Sequence, residues 1–253
     1  MGRATAEHLA QHEFQVYAGS RTPEKLMGIE GVTPLKLDIT NPHNIIEVID
    51  SIASIDVLIN NAGYGLVSTV EDVTEEEMMA QFNVNVFGLL RVCKAVIPKM
   101  REQQNGVIIN ISSFLGKIGL PLFTFYNASK YAVEGVTDSL RYELKDFNIR
   151  VHSIMPGFFD TNFAKDNLVT NEETFNKNSP YSKMVSTLAP IIVDQINGGN
   201  PSEEVAELIL EIIEDGQSLA RQTAGEKAKK FIPMKKELSD EDFERRVREY
   251  YHL

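Results

Sequence analysis

GVIINISS, residues 106–113, decides the architecture of this chain. Val107, Ile108, Ile109 and Ile111 form a nearly continuous apolar run bounded by a glycine and two serines. The run is too short for a buried helix, and it lacks the alternation of a strand wetted on one face. Such a segment fits a parallel strand covered on both faces, with Ser112 and Ser113 where the chain leaves the core. IDVLIN (55–60) and IRVHSIM (149–155) read the same way, and FQVYAGS (14–20) and VTPLKL (32–37) are less apolar strands.

Helices fill the intervals. Thr22-Pro23, Asn41-Pro42 and Asn200-Pro201 each set a capping residue before a proline suited to the first helical position. Thr74 and Glu77 have the spacing of a capping box. Alternating strands and helices predict a doubly wound α/β parallel sheet, Rossmann-like and three-layered, with residues 1–253 as a single dinucleotide-binding domain. Residues 158–200, rich in Asn, Thr, Ser and Lys and without a clear strand, are expected to form a substrate lid. Residues 226–252 are expected to add a C-terminal helical extension, with Lys227 to Lys236 as a solvated helix surface.

The 253 residues carry a formal charge of −11, which argues against nucleic acid as a partner. No apolar run approaches the ~18 residues of a membrane span, and no signal peptide is visible, so a cytoplasmic location is expected. The single cysteine, Cys93, lies in the apolar stretch FGLLRVCKAVI and reads as a buried core thiol. The histidines have no metal-site spacing, and no metal is expected.

The chemistry gathers at strand ends. Tyr126 and Lys130, in YNASK, are four apart, so on a helix they share a face. A neighbouring ammonium favours the phenolate and is expected to lower the Tyr126 pKa, making it a general acid or base. Ser113 offers a hydroxyl to a substrate oxygen at the end of the apolar strand. Gly63 in NNAG (60–63) allows a close backbone approach, and Pro156-Gly157 closes another strand. Asn85 in NVNVFG stands mid-helix, an unfavourable place unless its polar groups are engaged. Ligands of open α/β sheets bind at these carboxyl ends.

Taken together, NNAG, NVFG, GVIINISS, YNASK and PGFFDT resemble, in order and spacing, the signature set of the short-chain dehydrogenase/reductase family over essentially the whole chain. The resemblance implies an NAD(P)-dependent oxidoreductase acting on an alcohol or carbonyl, with Asn85, Ser113, Tyr126 and Lys130 as the catalytic set. In it Tyr126 is the acid/base, Lys130 lowers its pKa and binds the nicotinamide ribose, Ser113 orients the substrate and Asn85 anchors a relay water. Asn61, Ala62 and Gly63 would lie along the cofactor, Asp38 and Ile39 would meet the adenine, and Pro156, Gly157, Phe159 and Thr161 would frame the nicotinamide and pyrophosphate. A homodimer or homotetramer is the family expectation.

Ser20 and Arg21 stand where an acidic residue would bind the ribose 2′-hydroxyl of NAD. A guanidinium suits a 2′-phosphate, so NADP is expected over NAD, the alternative use of Arg21 being a salt bridge to Glu24. Ser113, Leu115, Tyr126 and Phe158 are expected to contact substrate. With Phe114, Phe159 and Phe163 they suggest an apolar alcohol or carbonyl, steroid-, retinoid- or fatty-chain-like.

The pattern departs from the family at its start. GRATAEHLA matches the helix that the family places directly after its glycine-rich loop. Gly2 would then be the last glycine of that loop, and the first strand and the other glycines do not precede it. Two strand edges in mid-sheet are expected to lack a neighbour in consequence. One reading is a misassigned start or fragment of an ordinary enzyme, which the intact Ser-Tyr-Lys-Asn set favours. The other is a truly shortened, catalytically silent sensor or interaction protein.

Overall fold

Helix α1 (Gly2–Gln11) leads into strand β1 (Val16–Ser20), β2 (Val32–Lys36), α2 (Pro42–Asp50), β3 (Val57–Asn60) and the short β4 (Gly65–Val67). Next come α3 (Glu75–Phe82), α4 (Leu89–Gln103), β5 (Gly106–Ile111), α5 (Thr124–Glu143) and β6 (Ile149–Pro156). Beyond these lie β7 (Phe159–Asp160), β8 (Leu168–Thr170), α6 (Ser182–Asn197), β9 (Asn200–Pro201), α7 (Glu203–Glu214), β10 (Arg221–Ala224), α8 (Gly225–Glu237) and α9 (Asp240–Tyr251). The computed structural model describes residues 1–161 and 167–253.

Strands β10, β6, β5 and β3 form, in that order, a parallel sheet whose register aligns Asn60 with Asn110, Asn110 with Ser153, and Ser153 with Arg221. Strands β1 and β2 make a separate parallel pair, and the edge position of β2 tolerates Pro34. Among the described residues no ladder joins β1 to β3, so each keeps one unpaired edge, as the sequence led us to expect. Phe14, Val16, Val57 and Ile59, from or beside these edges, pack into the apolar cluster under α1 and α7.

β5 shows why its apolar run is continuous. Val107, Ile109 and Ile111 face Leu9 of α1 and Val205, Ile209 and Ile212 of α7, whereas Ile108 faces Val92 and Val96 of α4 and Val133 of α5. Helices therefore cover both faces, giving the three-layered, doubly wound α/β fold.

Local signals held to different degrees. Asn41 caps α2 by accepting from His43 N and Asn44 N, and Thr74 with Glu77 forms a complete capping box on α3. Thr22-Pro23 opens only a 3-10 turn, without a side-chain cap. Asn200-Pro201 does not start a helix: it is β9, paired with β7, and the cap of α7 is Ser202. The Asn200 side chain instead bonds Glu204 and the Glu226 backbone.

The segment expected to be an irregular lid is more ordered than its composition suggests. It contains β8, which pairs with β4, and α6, a helix that buries Val185, Leu188, Ile192 and Ile196 at helical spacing. Pro190 and the flanking polar residues hid that periodicity. At the C-terminus α8 buries Ala228, Phe231 and Ile232, while Lys227 and Lys230 lie over the ring of Tyr250 on α9.

Candidate active site

Two strand ends converge with α5 and with the turn between α3 and α4. β5 ends at Ile111, whose carbonyl accepts a 2.8 Å hydrogen bond from Lys130 Nζ on α5. Tyr126, one turn earlier, is hydrogen-bonded by Ser113, and Lys130 Nζ lies over its ring at 5.7 Å from the centroid. Gly63, beyond β3, closes the cluster. A Cβ there would lie 3.2 Å from Asn85 Oδ1 and 3.7 Å from Lys130 Nζ, so only glycine lets that backbone sit against both without crowding. The sequence-predicted Gly63, Asn85, Ser113, Tyr126 and Lys130 are thus brought together.

Asn85 occupies a π-helical turn, Asn83–Gly88, between α3 and α4. Turns of this kind recur at functional sites because they displace a helix from its regular hydrogen bonding. The Asn85 amide is engaged at both ends: it accepts from Tyr64 N (3.0 Å) and donates to Tyr64 O (2.9 Å) and Ser129 Oγ (3.0 Å). Its side chain ties the Gly63 loop to α5. Ser129 and Gln81, which bonds Leu66 N and Tyr64 O, belong to this brace and were not among the expected residues. Only the mid-helix polar side chains hinted at it.

The electrostatics reverse one expectation. Burial pushes the Tyr126 phenol up to about 12, against a smaller opposing effect of the Ser113 hydrogen bond. Burial lowers the Lys130 ammonium as well, to about 8, against the attraction of Glu134. Tyr126 is therefore protonated at neutral pH, the state required of a proton donor. Cys93 is a core thiol: burial raises it to about 11, and its sulfur accepts from Asn60 Nδ2.

The remaining expected residues divide. Gly2 and Asn61 are in contact range, a Cβ on Gly2 falling 2.5 Å from Asn61 Nδ2, and Ala62 is exposed beside them. Ser20 ends β1 and accepts from Thr22 N, and Arg21 is exposed and close enough to act on the Asp38 carboxylate. No ion pair joins Arg21 to Glu24 among the described residues. Asp38 accepts from Thr40 N and Oγ1, hydrogen bonds that lower its pKa, and Ile39 lies against Gly88 at the end of the π-turn.

Gly157, after Pro156, faces Lys227 and Ala228 at the start of α8, and Leu115 and Phe158 belong to the apolar cluster around Tyr126. Phe159 does not point there. Its side chain is buried with Leu9, Ile154 and Val205 in the core, because Gly225, at φ +77, leaves room for its ring. Thr161 is half-buried, with a long 3.5 Å bond to the Phe159 carbonyl. Phe163 lies outside the described residues.

A sequence model of the short chain dehydrogenase family matches residues 1–172. The chain is 40% identical over 204 residues to a 3-ketodihydrosphingosine reductase of Bacteroides thetaiotaomicron, covering 79% of this chain and 75% of the relative. A short-chain dehydrogenase from Streptomyces avermitilis superposes with a TM-score of 0.82 at 29% identity, covering 99% of this chain and 91% of that one. A short chain dehydrogenase from Burkholderia cenocepacia in complex with NADP gives a TM-score of 0.72 at 26% identity, covering 91% and 85%.

Proposed function

The chain belongs to the short-chain dehydrogenase family and is an NAD(P)-dependent oxidoreductase, and from its site we propose that it reduces the carbonyl of an apolar-chain substrate with NADPH, Tyr126 donating the proton. The observation that carries this reading is the buried, protonated Tyr126 between Ser113 and Lys130.

The site suits a dinucleotide. The N-terminus of α1 carries no acidic residue and no side-chain cap, so its free N–H groups can receive a pyrophosphate beside Asn61. Arg21 would meet a 2′-phosphate, Asp38 and Ile39 the adenine, and Lys130 the nicotinamide ribose. When bound, the nicotinamide supplies a hydride to the carbonyl carbon. Ser113 and Tyr126 would hold the carbonyl oxygen, the Tyr126 proton would pass to it as it becomes an alcohol, and Lys130 would stabilise the phenolate left behind.

The apolar residues flanking Tyr126, among them Leu115, Phe123 and Phe158, support a fatty-chain ketone. The similarity to a 3-ketodihydrosphingosine reductase supports the same class. Tyr131 and Tyr142, exposed on α5, support a homo-oligomer, and the free buried thiol of Cys93 suits the cytoplasm. Loss of reduced-nicotinamide absorbance, measured with NADPH and NADH against 3-ketodihydrosphingosine and a short ketone, tests the proposal. Faster oxidation of NADPH with the long-chain ketone is expected. NADPH binding without oxidation by any ketone would instead favour a silent sensor.

A further inference from the structure

Glu134 sits one turn beyond Lys130 on α5 and is 2% exposed, a rare setting for a carboxylate. Two cations from other elements hold it. Arg221 of β10 donates from Nε to Oε2 at 2.6 Å, and Lys117 Nζ stands 3.3 Å from the same oxygen. Arg221 is held in turn by Asp138, at 2.5 Å, two turns beyond Lys130. Gly116 permits the arrangement: a Cβ there would lie 3.0 Å from the Lys130 carbonyl oxygen and 3.2 Å from Glu134 Cγ. Glu134 Oε1 makes no hydrogen bond among the described residues, so the buried carboxylate is held through Oε2 by the two cations.

Lys130 is the group on which the field of that carboxylate acts. Its ammonium has the Ile111 carbonyl as acceptor, and no carboxylate lies within ion-pair distance among the described residues. The titratable groups around it are Tyr126 and Glu134 on its own helix, Lys117 after β5 and Arg221 on β10, with Asp138 behind Arg221. The elements on the other side present Gly63 and the neutral Asn85. Glu134 is the one anion stacked directly along the helix from Lys130, and a unit charge about one turn away is felt strongly where water is excluded. A bridge serving only to fasten the edge strand could use Asp138 at the surface and would not require a buried carboxylate.

We propose that Glu134 is a positioning residue for the proton-donating pair: fixed by Arg221 and Lys117, its carboxylate keeps Lys130 an ammonium beside Tyr126. The inference rests on the reading of Tyr126 and Lys130 as the reactive pair. Its test does not need turnover, so the two can fail separately.

Lys130 can be titrated by NMR through its Cε resonance, assigned by its loss in Lys130→Met, in the full chain and in its variants. Glu134→Gln removes the negative charge and is expected to move the Lys130 midpoint down by about one pH unit. Arg221→Gln removes a facing cation and is expected to move it up. Glu134→Asp keeps the charge, should restore a midpoint near that of the parent, and serves if the glutamine variant does not fold. In the parent, turnover should fall as pH rises through the Lys130 midpoint, and the fall should track the same displacements. Unmoved midpoints, or midpoints moved in the same direction by both glutamine variants, would overturn the inference and leave Glu134 a structural bridge. Turnover surviving Tyr126→Phe would overturn the functional reading instead.

Discussion

Replacing Lys130 with methionine should stabilise the protein at neutral pH while abolishing its activity. Burial holds the Lys130 ammonium down from 10.5 to about 8. At pH 7 the charged form therefore costs the fold roughly 3 kcal/mol relative to the unfolded chain. Against this, the Lys130→Met variant would lose the hydrogen bond to Ile111 O, a charged donor contributing about 2 kcal/mol. The stem is already buried, and methionine fills similar space. The variant is expected to be more stable by about 1 kcal/mol at pH 7.

The sign changes with pH. Because the folded pKa lies below the unfolded one, the unfolded chain binds more protons between about 8 and 10.5, and the parent gains stability as pH rises through that window. Between pH 7 and pH 10 the difference should swing by about 2 to 3 kcal/mol toward the parent. Tyr126, raised by burial, loses stabilising influence only above its unfolded value of 10.0, and it does so in both proteins, so it cancels. Urea unfolding of both proteins at the two pH values measures the swing. A stability difference that is the same at both, or that favours the parent more at pH 7, would refute the claim that Lys130 is held charged at a cost.

Thr174 is fully buried, accepts from Thr69 N and donates to Asp72 Oδ2, pinning the segment after β8 to the loop after β4. Thr174→Val should weaken that latch by about 1 to 3 kcal/mol. Limited proteolysis should show faster cleavage near residues 168–181, and KM should rise with little change in kcat. Arg21→Glu places a carboxylate where a 2′-phosphate is expected. It should raise KM for NADPH about tenfold or more, some 1.4 kcal/mol, with the NADH parameters little changed. Steady-state kinetics with both cofactors gives the ratio.

The strands and their layers were legible because β5 must bury both faces, and only a parallel interior strand does that with Ile108, Ile109 and Ile111 in sequence. The gathering of Tyr126, Lys130 and Ser113 was legible because helical spacing and strand ends are local properties. What sequence could not supply was set by distant partners. The direction of the Tyr126 shift depends on how completely α5 is covered, and Glu134 meets Arg221 across 87 positions of chain. Phe159 turns into the core because Gly225 makes room for it. The periodicity of α6 was broken to the eye by Pro190, although tertiary burial of Leu188 and Ile192 holds the helix.

The central claim is that Tyr126 carries the proton to the substrate oxygen. Tyr126→Phe removes one oxygen from a buried ring and leaves Lys130, Asn85 and the strand ends in place. Single-turnover oxidation of bound NADPH by 3-ketodihydrosphingosine, with NADPH affinity measured on the same sample by fluorescence, tests it. The account predicts at least a hundredfold loss of rate, the scale of general acid catalysis, with affinity nearly unchanged. A rate within a few-fold of the parent would contradict it.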